Sequence, residues 1–116
     1  MAQFKELTIQ KTPNGFLPIL PLNGQWLEDT GFAVGCGVDA VFENSCLTLT
    51  VNHSGGSLQV ESRIVRHRPR TILTVHAFWL KQCGFNIGDK VGLTLSPRKI
   101  QIQKIVKYVT ADDLGA

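Results

Sequence analysis

Residues 24–35 read GQWLEDTGFAVG, and residues 77–88 read AFWLKQCGFNIG. Trp, Leu, Gly, Phe and Gly recur at matching positions, so that Trp26 and Trp79 are 53 residues apart. In each stretch a short helical pattern is followed by a glycine, which suits the left-handed position that ends a helix. The phenylalanine after it is then placed to fold back onto the apolar face of the helix. The sequence therefore predicts two copies of one small structural unit.

Strand patterns surround both copies in the same order. The first copy predicts strands in LTIQKT and FLPILPL around a turn at 13–15, a helix over 24–30 with Asn23 as its N-cap, and strands at 38–42 and 46–51. The second predicts strands in LQVESRIVRHR and RTILTV, a helix over 76–83, and strands in KVGLTL and KIQIQKIVKYV. Pro18 and Pro21 cannot donate to a strand ladder, so we expect an edge or an irregularity at those two points.

The repeat predicts the domain organisation. We expect a first repeat at 1–52, a linker at 53–57 with the composition of a flexible connector, a second repeat at 58–109 and a polar tail at 110–116. One such unit is too small to bury an adequate core alone, whereas two units that interleave their hairpins can do so. The predicted fold is mainly β with two short helices, a pseudo-two-fold mixed barrel with a short helix packed at each end. Pairing within one chain and pairing between two chains of a homodimer both satisfy this prediction.

Composition narrows the classes of function. No apolar run approaches the roughly 20 residues that span a bilayer, and the first residues lack a signal-peptide core, so we expect a cytoplasmic protein without a membrane partner. The cysteines form no CxxC pair and are expected to be reduced, and the histidines lack zinc-like spacing, so neither a metal nor a cofactor is predicted. Residues 1–53 carry two basic and five acidic residues, whereas residues 54–116 carry ten basic and four acidic ones. The resulting net charges, −3 and +6, point to a polyanionic partner for the second half.

The run Leu17–Val51 resembles the core of the SymE family of bacterial toxins. The matching positions, in chain order, are Gly24, Gln25, Trp26, Leu27, Glu28, Gly31, Phe32, Gly35, Val38, Cys46 and Leu47. The second copy is a weaker match, with Ala77, Lys81 and Lys99 in place of the glycine, the glutamate and the cysteine. This resemblance implies a swapped-hairpin barrel like those of AbrB-type transcription factors and MazE-type antitoxins, in which a face rich in Arg and Lys contacts DNA. It also implies a toxin that acts on RNA, by cleavage or by binding, and hence a nucleic-acid partner.

The best candidate for a binding site is RIVRHRPR, residues 63–70. Its arginines could neutralise phosphates from the mouth of a hairpin, and a second basic group could extend the patch or lie on the opposite face. The predicted nucleic-acid-binding residues are Arg63, Arg66, Arg68, Arg70, Arg98 and Lys99. The alternative is a solvated cationic turn that only aids solubility. Trp26 and Trp79 could stack on bases, but their position in the helices favours core packing.

Metal-independent cleavage of RNA needs one group that deprotonates the 2′-hydroxyl and another that protonates the leaving oxygen. His67 is the histidine inside the arginine cluster, and its ordinary pKa suits such a role. No second acid or base lies beside it in the sequence, because Glu61 is six residues away. We therefore predict binding of RNA or DNA as the function. The alternatives are a metal-independent endoribonuclease, with His67 as its catalytic residue, and a non-enzymatic, antitoxin-like module that binds a partner protein.

Overall fold

The computed structural model describes residues 3–13 and 15–105. In the first repeat the elements are β1 (Gln3–Thr8), β2 (Gln10–Lys11), β3 (Pro18–Asn23), α1 (Gln25–Asp29), β4 (Gly37–Glu43) and β5 (Cys46–Asn52). In the second repeat they are β6 (Leu58–Gln59), β7 (Glu61–Val65), β8 (Arg68–Val75), α2 (Ala77–Gln82), β9 (Lys90–Ser96) and β10 (Lys99–Lys104). The predicted class, mainly β with two short helices, is confirmed. The predicted tail at 110–116 lies outside the described residues.

The strands form two antiparallel sheets, and the two repeats exchange strands between them. The larger sheet has the order β1-β9-β10-β5-β4-β6, and the smaller one has the order β2-β3-β8-β7. Strand β1 of the first repeat pairs with β9 of the second, and β6 of the second pairs with β4 of the first. The strands β3 and β8, and likewise β5 and β10, pair across the repeats. One chain therefore supplies both halves of the interleaved arrangement.

Two bends carry the chain from one sheet to the other, and they are related by the pseudo-two-fold symmetry. At the first bend the Ile9 amide donates to the Asp89 carbonyl at 2.8 Å, and the Gly88 amide donates to the Ile9 carbonyl at 2.9 Å. At the second bend the Val60 amide donates to the Cys36 carbonyl at 3.0 Å, and the Gly35 amide donates to the Val60 carbonyl at 2.9 Å. Both bend residues are only 1% exposed. The bends therefore anchor the centre of the molecule with satisfied backbone groups and buried side chains.

Both helices end in the predicted way. Gly31 and Gly84 adopt left-handed φ angles of 101° and 77°. After α1 the Phe32 amide donates to the Leu27 carbonyl at 2.8 Å, and after α2 the Phe85 amide donates to the Leu80 carbonyl at 2.8 Å. This is the Schellman arrangement, in which glycine permits the reversal and the next residue packs back on the helix. Phe32 is fully buried and Phe85 nearly so, as the sequence predicted.

The start of α1 differs from the prediction. Gly24, rather than Asn23, is the N-cap of α1, and no side chain caps the helix. The Asn23 Oδ1 atom instead accepts a hydrogen bond from an Arg70 guanidinium nitrogen at 3.2 Å. The Asn23 carbonyl accepts a bond from the indole nitrogen of Trp26 at 2.9 Å. The polar groups of Asn23 therefore tie β3 to the helix and to β8.

The core lies between the sheets and takes its apolar side chains from both repeats. Its members of 0% exposure are Leu22, Leu27, Phe32, Val38, Leu47, Leu49, Leu73, Val75, Leu80, Val91, Leu93, Ile100 and Ile102. Trp26 and Trp79 are half-buried and pack against this core, which agrees with a packing role rather than free stacking platforms. Pro18 and Pro21 each pair with a single neighbouring strand, so neither proline interrupts a ladder on both sides.

The linker, for which the composition predicts a flexible connector, makes local contacts with the ends of β5 and β4. The Asn52 side-chain amide donates to an Asp39 carboxylate oxygen at 2.9 Å, and the Ser54 amide donates to Asn52 Oδ1 at 2.9 Å. A Cβ atom added at Gly56 would lie 2.5 Å from the Val38 carbonyl oxygen. Gly56 therefore packs closely against β4, whereas Gly55 adopts a left-handed φ angle of 105° that suits glycine.

Candidate nucleic-acid interface

Residues 63–70, here called the arginine hairpin, form the outer part of the β7–β8 hairpin. In the register of these strands Arg63 faces Arg70, Ile64 faces Pro69 and Val65 faces Arg68. Every residue from Glu61 to Arg70 is exposed. Because side chains alternate across a strand, Arg63, Arg68 and Arg70 project from one face of the hairpin. The structure thus brings together the four arginines that the sequence proposed.

The turn at the tip has an unusual backbone. Arg66 and His67 have φ angles of 51° and 67°, both in the left-handed region that favours glycine and asparagine. Two such residues between paired strands give the type I′ turn, whose twist matches that of the hairpin. The strand twist requires this conformation, and the sequence fills it with two bulky side chains. The turn therefore presents Arg66 and His67 at the outermost point of the hairpin.

Among the described residues, the hairpin arginines form no ion pair with an acidic side chain. Within residues 3–13 and 15–105 a single ion pair forms, between Lys104 Nζ and an Asp89 carboxylate oxygen at 3.2 Å. Arg70 donates to the neutral amide of Asn23, and Arg63 faces Arg70 directly across the strands. Like charges placed opposite each other destabilise a hairpin. Such an arrangement gains stability when an anion neutralises it.

The second predicted basic group lies at the other end of α1. The Arg98 amide donates to the Thr30 carbonyl at 2.7 Å, and the Arg98 side chain packs over Gly31. Lys99 begins β10 beside this turn and is exposed. Arg70, by contrast, contacts Asn23 just before the helix. The acidic helix α1, with exposed Glu28 and Asp29, therefore lies between the two basic groups.

Within the arginine hairpin, His67 is accompanied by arginines and by no carboxylate. Glu61 begins the five-residue strand β7, so about 13 Å of extended chain separates it from Val65, before the turn is counted. No group of three or more His, Cys, Asp or Glu residues within the described part of the chain could hold a metal ion. Burial raises the pKa of the Cys83 thiol to about 11, so this thiol is protonated at neutral pH and a poor nucleophile. The geometry offers positive charge rather than an acid–base pair.

A groove of about 500 Å³ separates the arginine hairpin from α1. Gln25 and Glu28 line it from the helix, Ser62 and Arg70 from the hairpin, and Val34 and Pro69 add apolar surface. Gln25 and Glu28 were not predicted as site residues, because they lie in a helix whose motif indicates core packing. A signal was nevertheless present, since the second copy has Phe78 and Lys81 at the matching positions.

Comparison with known proteins yields one family. The family described as "Toxin SymE, type I toxin-antitoxin system" matches residues 6–51. Residues 6–51 are SymE-like. The proteins named "Endoribonuclease SymE" from Salmonella paratyphi C, Salmonella choleraesuis and Salmonella typhimurium are each 50% identical to this chain over 34 residues. That stretch covers 29% of the chain and 31% of each relative, so the likeness spans less than a third of their length.

The SymE-like segment ends before the arginine hairpin begins. It contains α1, β4 and β5, whereas the hairpin belongs to the second repeat. No solved structure matches the chain. Among the described residues, neither helix has the length or the apolar character to cross a bilayer. The family match is therefore limited to residues 6–51, and the arginine hairpin lies outside it.

Proposed function

We propose that this protein is a SymE-like toxin that acts by binding nucleic acid through the arginine hairpin. The observation that carries the proposal is the exposed cluster of four arginines on an ordered hairpin, without an acidic partner among the described residues. Arginine donates to phosphate oxygens in a fork that suits bidentate bonds, and its charge is permanent. The name of the relatives, Endoribonuclease SymE, supports RNA as the target.

The SymE-like segment supports the arginine hairpin but does not supply its positive charge. Strand β3 pairs with β8, and the Asn23 side chain bonds Arg70, so the first repeat fixes the base of the hairpin. Arg98 and Lys99 form a second contact point beyond α1. A strand of nucleic acid that touches both basic groups must pass along the helix, where Glu28 and Asp29 disfavour close phosphate contact. We therefore assign the main phosphate contacts to the hairpin.

Removal of two hairpin charges should weaken binding in a salt-dependent way. The R66A/R68A variant is expected to reduce the slope of log affinity against log salt by about 0.7 per arginine on single-stranded RNA, or about 0.9 on duplex. The measurement is fluorescence anisotropy of labelled RNA and DNA between low and physiological salt.

The matched control is K81A/K90A, which removes the same charge from α2 and β9. Helix α2 packs against β3 and not against the arginine hairpin, so this variant should keep most of the salt slope. An equal loss of salt slope in both variants would indicate that binding depends on the net charge of the protein and not on the hairpin. An unchanged slope in R66A/R68A would reject the hairpin as the site.

Endoribonuclease activity is the second candidate function, favoured by the names of the relatives. In that case His67 at the tip of the hairpin would act as the base, with the arginines stabilising the charged transition state. Labelled RNA is incubated with the protein in the presence of a metal chelator, and cleavage is followed on a gel. Cleavage that H67Q abolishes supports this function, whereas cleavage unaffected by H67Q rejects His67. Absence of cleavage together with intact binding leaves binding as the function.

A further inference from the structure

The groove between α1 and the arginine hairpin combines groups of opposite hydrogen-bonding character. Glu28 offers a carboxylate that only accepts hydrogen bonds, and Arg70 offers a guanidinium that only donates them. Val34 and Pro69 add apolar surface to the same groove. The volume, about 500 Å³, lies in the range of sites for small ligands. A planar group with both donors and acceptors on its edges fits this combination.

The pseudo-two-fold symmetry supplies an internal comparison. The positions that match Gln25, Glu28 and Val34 are Phe78, Lys81 and Ile87 in the second copy. In the register of the two hairpins Arg70 corresponds to Leu17, which is 45% exposed. The symmetry-related surface therefore lacks both the carboxylate and the guanidinium. The pair of Glu28 and Arg70 therefore occurs on one side of the molecule only, and the fold does not require it.

Resting on the proposed function, we propose that this groove binds an unpaired guanine of the RNA whose phosphates contact the arginine hairpin. Guanine presents two adjacent donors, N1–H and the 2-amino group, on its Watson–Crick edge, and two acceptors, O6 and N7, on its Hoogsteen edge. The Glu28 carboxylate accepts from the first edge, and Arg70 donates to the second. Adenine, cytosine and uracil lack a pair of adjacent N–H donors, so the carboxylate selects guanine.

The base must be unpaired, because its Watson–Crick edge is otherwise occupied. Glu28 also disfavours phosphate in the groove, so the nucleotide enters with its base towards α1 and its phosphates towards Arg66 and Arg68. This orientation separates two roles, since phosphate contacts supply affinity and base contacts supply sequence preference. The inference therefore makes this protein a reader of single-stranded RNA with a guanine preference.

The test compares RNA oligomers that differ at one position. An oligoadenosine with one central guanosine is expected to bind about tenfold more tightly than the all-adenosine oligomer, and the inosine version, which lacks the 2-amino group, should fall between them. A stem-loop RNA that pairs the same guanosine should lose the preference. Equal affinity for inosine and guanosine, or a preference that survives pairing, would overturn the assignment of Glu28.

Three variants separate the groove from the hairpin. E28Q should reduce the guanosine preference to about twofold or less while raising affinity for oligoadenosine, because a negative charge is lost. D29N is the matched control: it removes the same charge from the same helix, but Asp29 lines a different depression, beside Pro97. D29N should keep the tenfold preference. R70K should keep the salt slope and lose the preference, since lysine lacks the bidentate fork.

The outcomes distinguish this inference from the proposed function. RNA binding at low salt without any guanosine preference would reject the groove and leave the hairpin proposal standing. Failure to bind any of the oligomers at low salt would reject the hairpin proposal itself. A preference lost equally in E28Q and D29N would show that the charge of the helix, rather than a contact from Glu28, sets the difference.

Discussion

Gly56 lies so close to β4 that no side chain fits there. A Cβ atom at this position would lie 2.5 Å from the Val38 carbonyl oxygen and 2.8 Å from an Asp39 carboxylate oxygen. The G56A variant must therefore push the linker away from the strand, and we expect it to lose about 1–3 kcal/mol of unfolding free energy. Urea denaturation measures the change. The control is G15A, whose Cβ would lie 3.2 Å from the movable Thr12 hydroxyl; comparable losses in both variants would contradict a tightly packed linker.

At the residue scale the sequence predicts local chemistry better than distant contacts. The glycines that end the helices were predictable, because a Gly-Phe pair after an apolar helical pattern indicates a local backbone reversal. Asn23 was assigned wrongly as an N-cap, because its side chain bonds Arg70, 47 positions along the chain. The close approach of Gly56 to Val38 was likewise not predicted, because these residues are distant in the chain. A composition rich in glycine indicates flexibility and close packing equally well.

At the element scale, the two residues at the tip of the arginine hairpin add positive charge but reduce the stability of the turn. Arg66 and His67 both hold left-handed φ angles, which cost a residue with a side chain about 1 kcal/mol or more. The R66N/H67G variant supplies the residues that a type I′ turn prefers. It should raise the unfolding free energy by about 1 kcal/mol and at the same time weaken RNA binding. Thermal denaturation and anisotropy on the same sample measure the two effects.

The matched control for this turn lies in the first repeat. Asn44 and Ser45 connect β4 and β5 with φ angles of 51° and 62°, the same backbone without charge. S45G should stabilise the fold to a similar extent and leave RNA affinity unchanged. If R66N/H67G stabilised the protein without weakening binding, the tip would have no part in the interface.

The order of strands and helices was predictable, but their partners were not. Alternating and apolar runs mark each strand, and the repeat sets their order, because periodicity is a local property. Pairing of β1 with β9 and of β6 with β4 joins residues from opposite halves of the chain. Local patterns fit pairing within one chain and pairing between two chains equally well. The groove was missed for this reason, since its two walls come from different repeats.

At the scale of the whole molecule, the interleaved strands complete each other within one chain. Each strand described here pairs with another strand of the same chain. The unfolding midpoint should therefore stay constant over a hundredfold range of protein concentration, because no association is coupled to folding. Differential scanning calorimetry at several concentrations tests this. A midpoint that rises with concentration would indicate that strands exchange between molecules.

The pseudo-two-fold axis has a further consequence for the target. A homodimer of identical units presents every surface twice, so a nucleic acid that reads the same in both directions suits it. In this chain the axis relates the arginine hairpin to a shorter hairpin that bears Lys11 and the exposed Phe16. The two hairpins lie on either side of the axis and differ in charge, because one bears four arginines and the other bears Lys11 beside Phe16. A nucleic acid bound as proposed would contact one of the two hairpins, so a palindromic sequence would offer it no advantage.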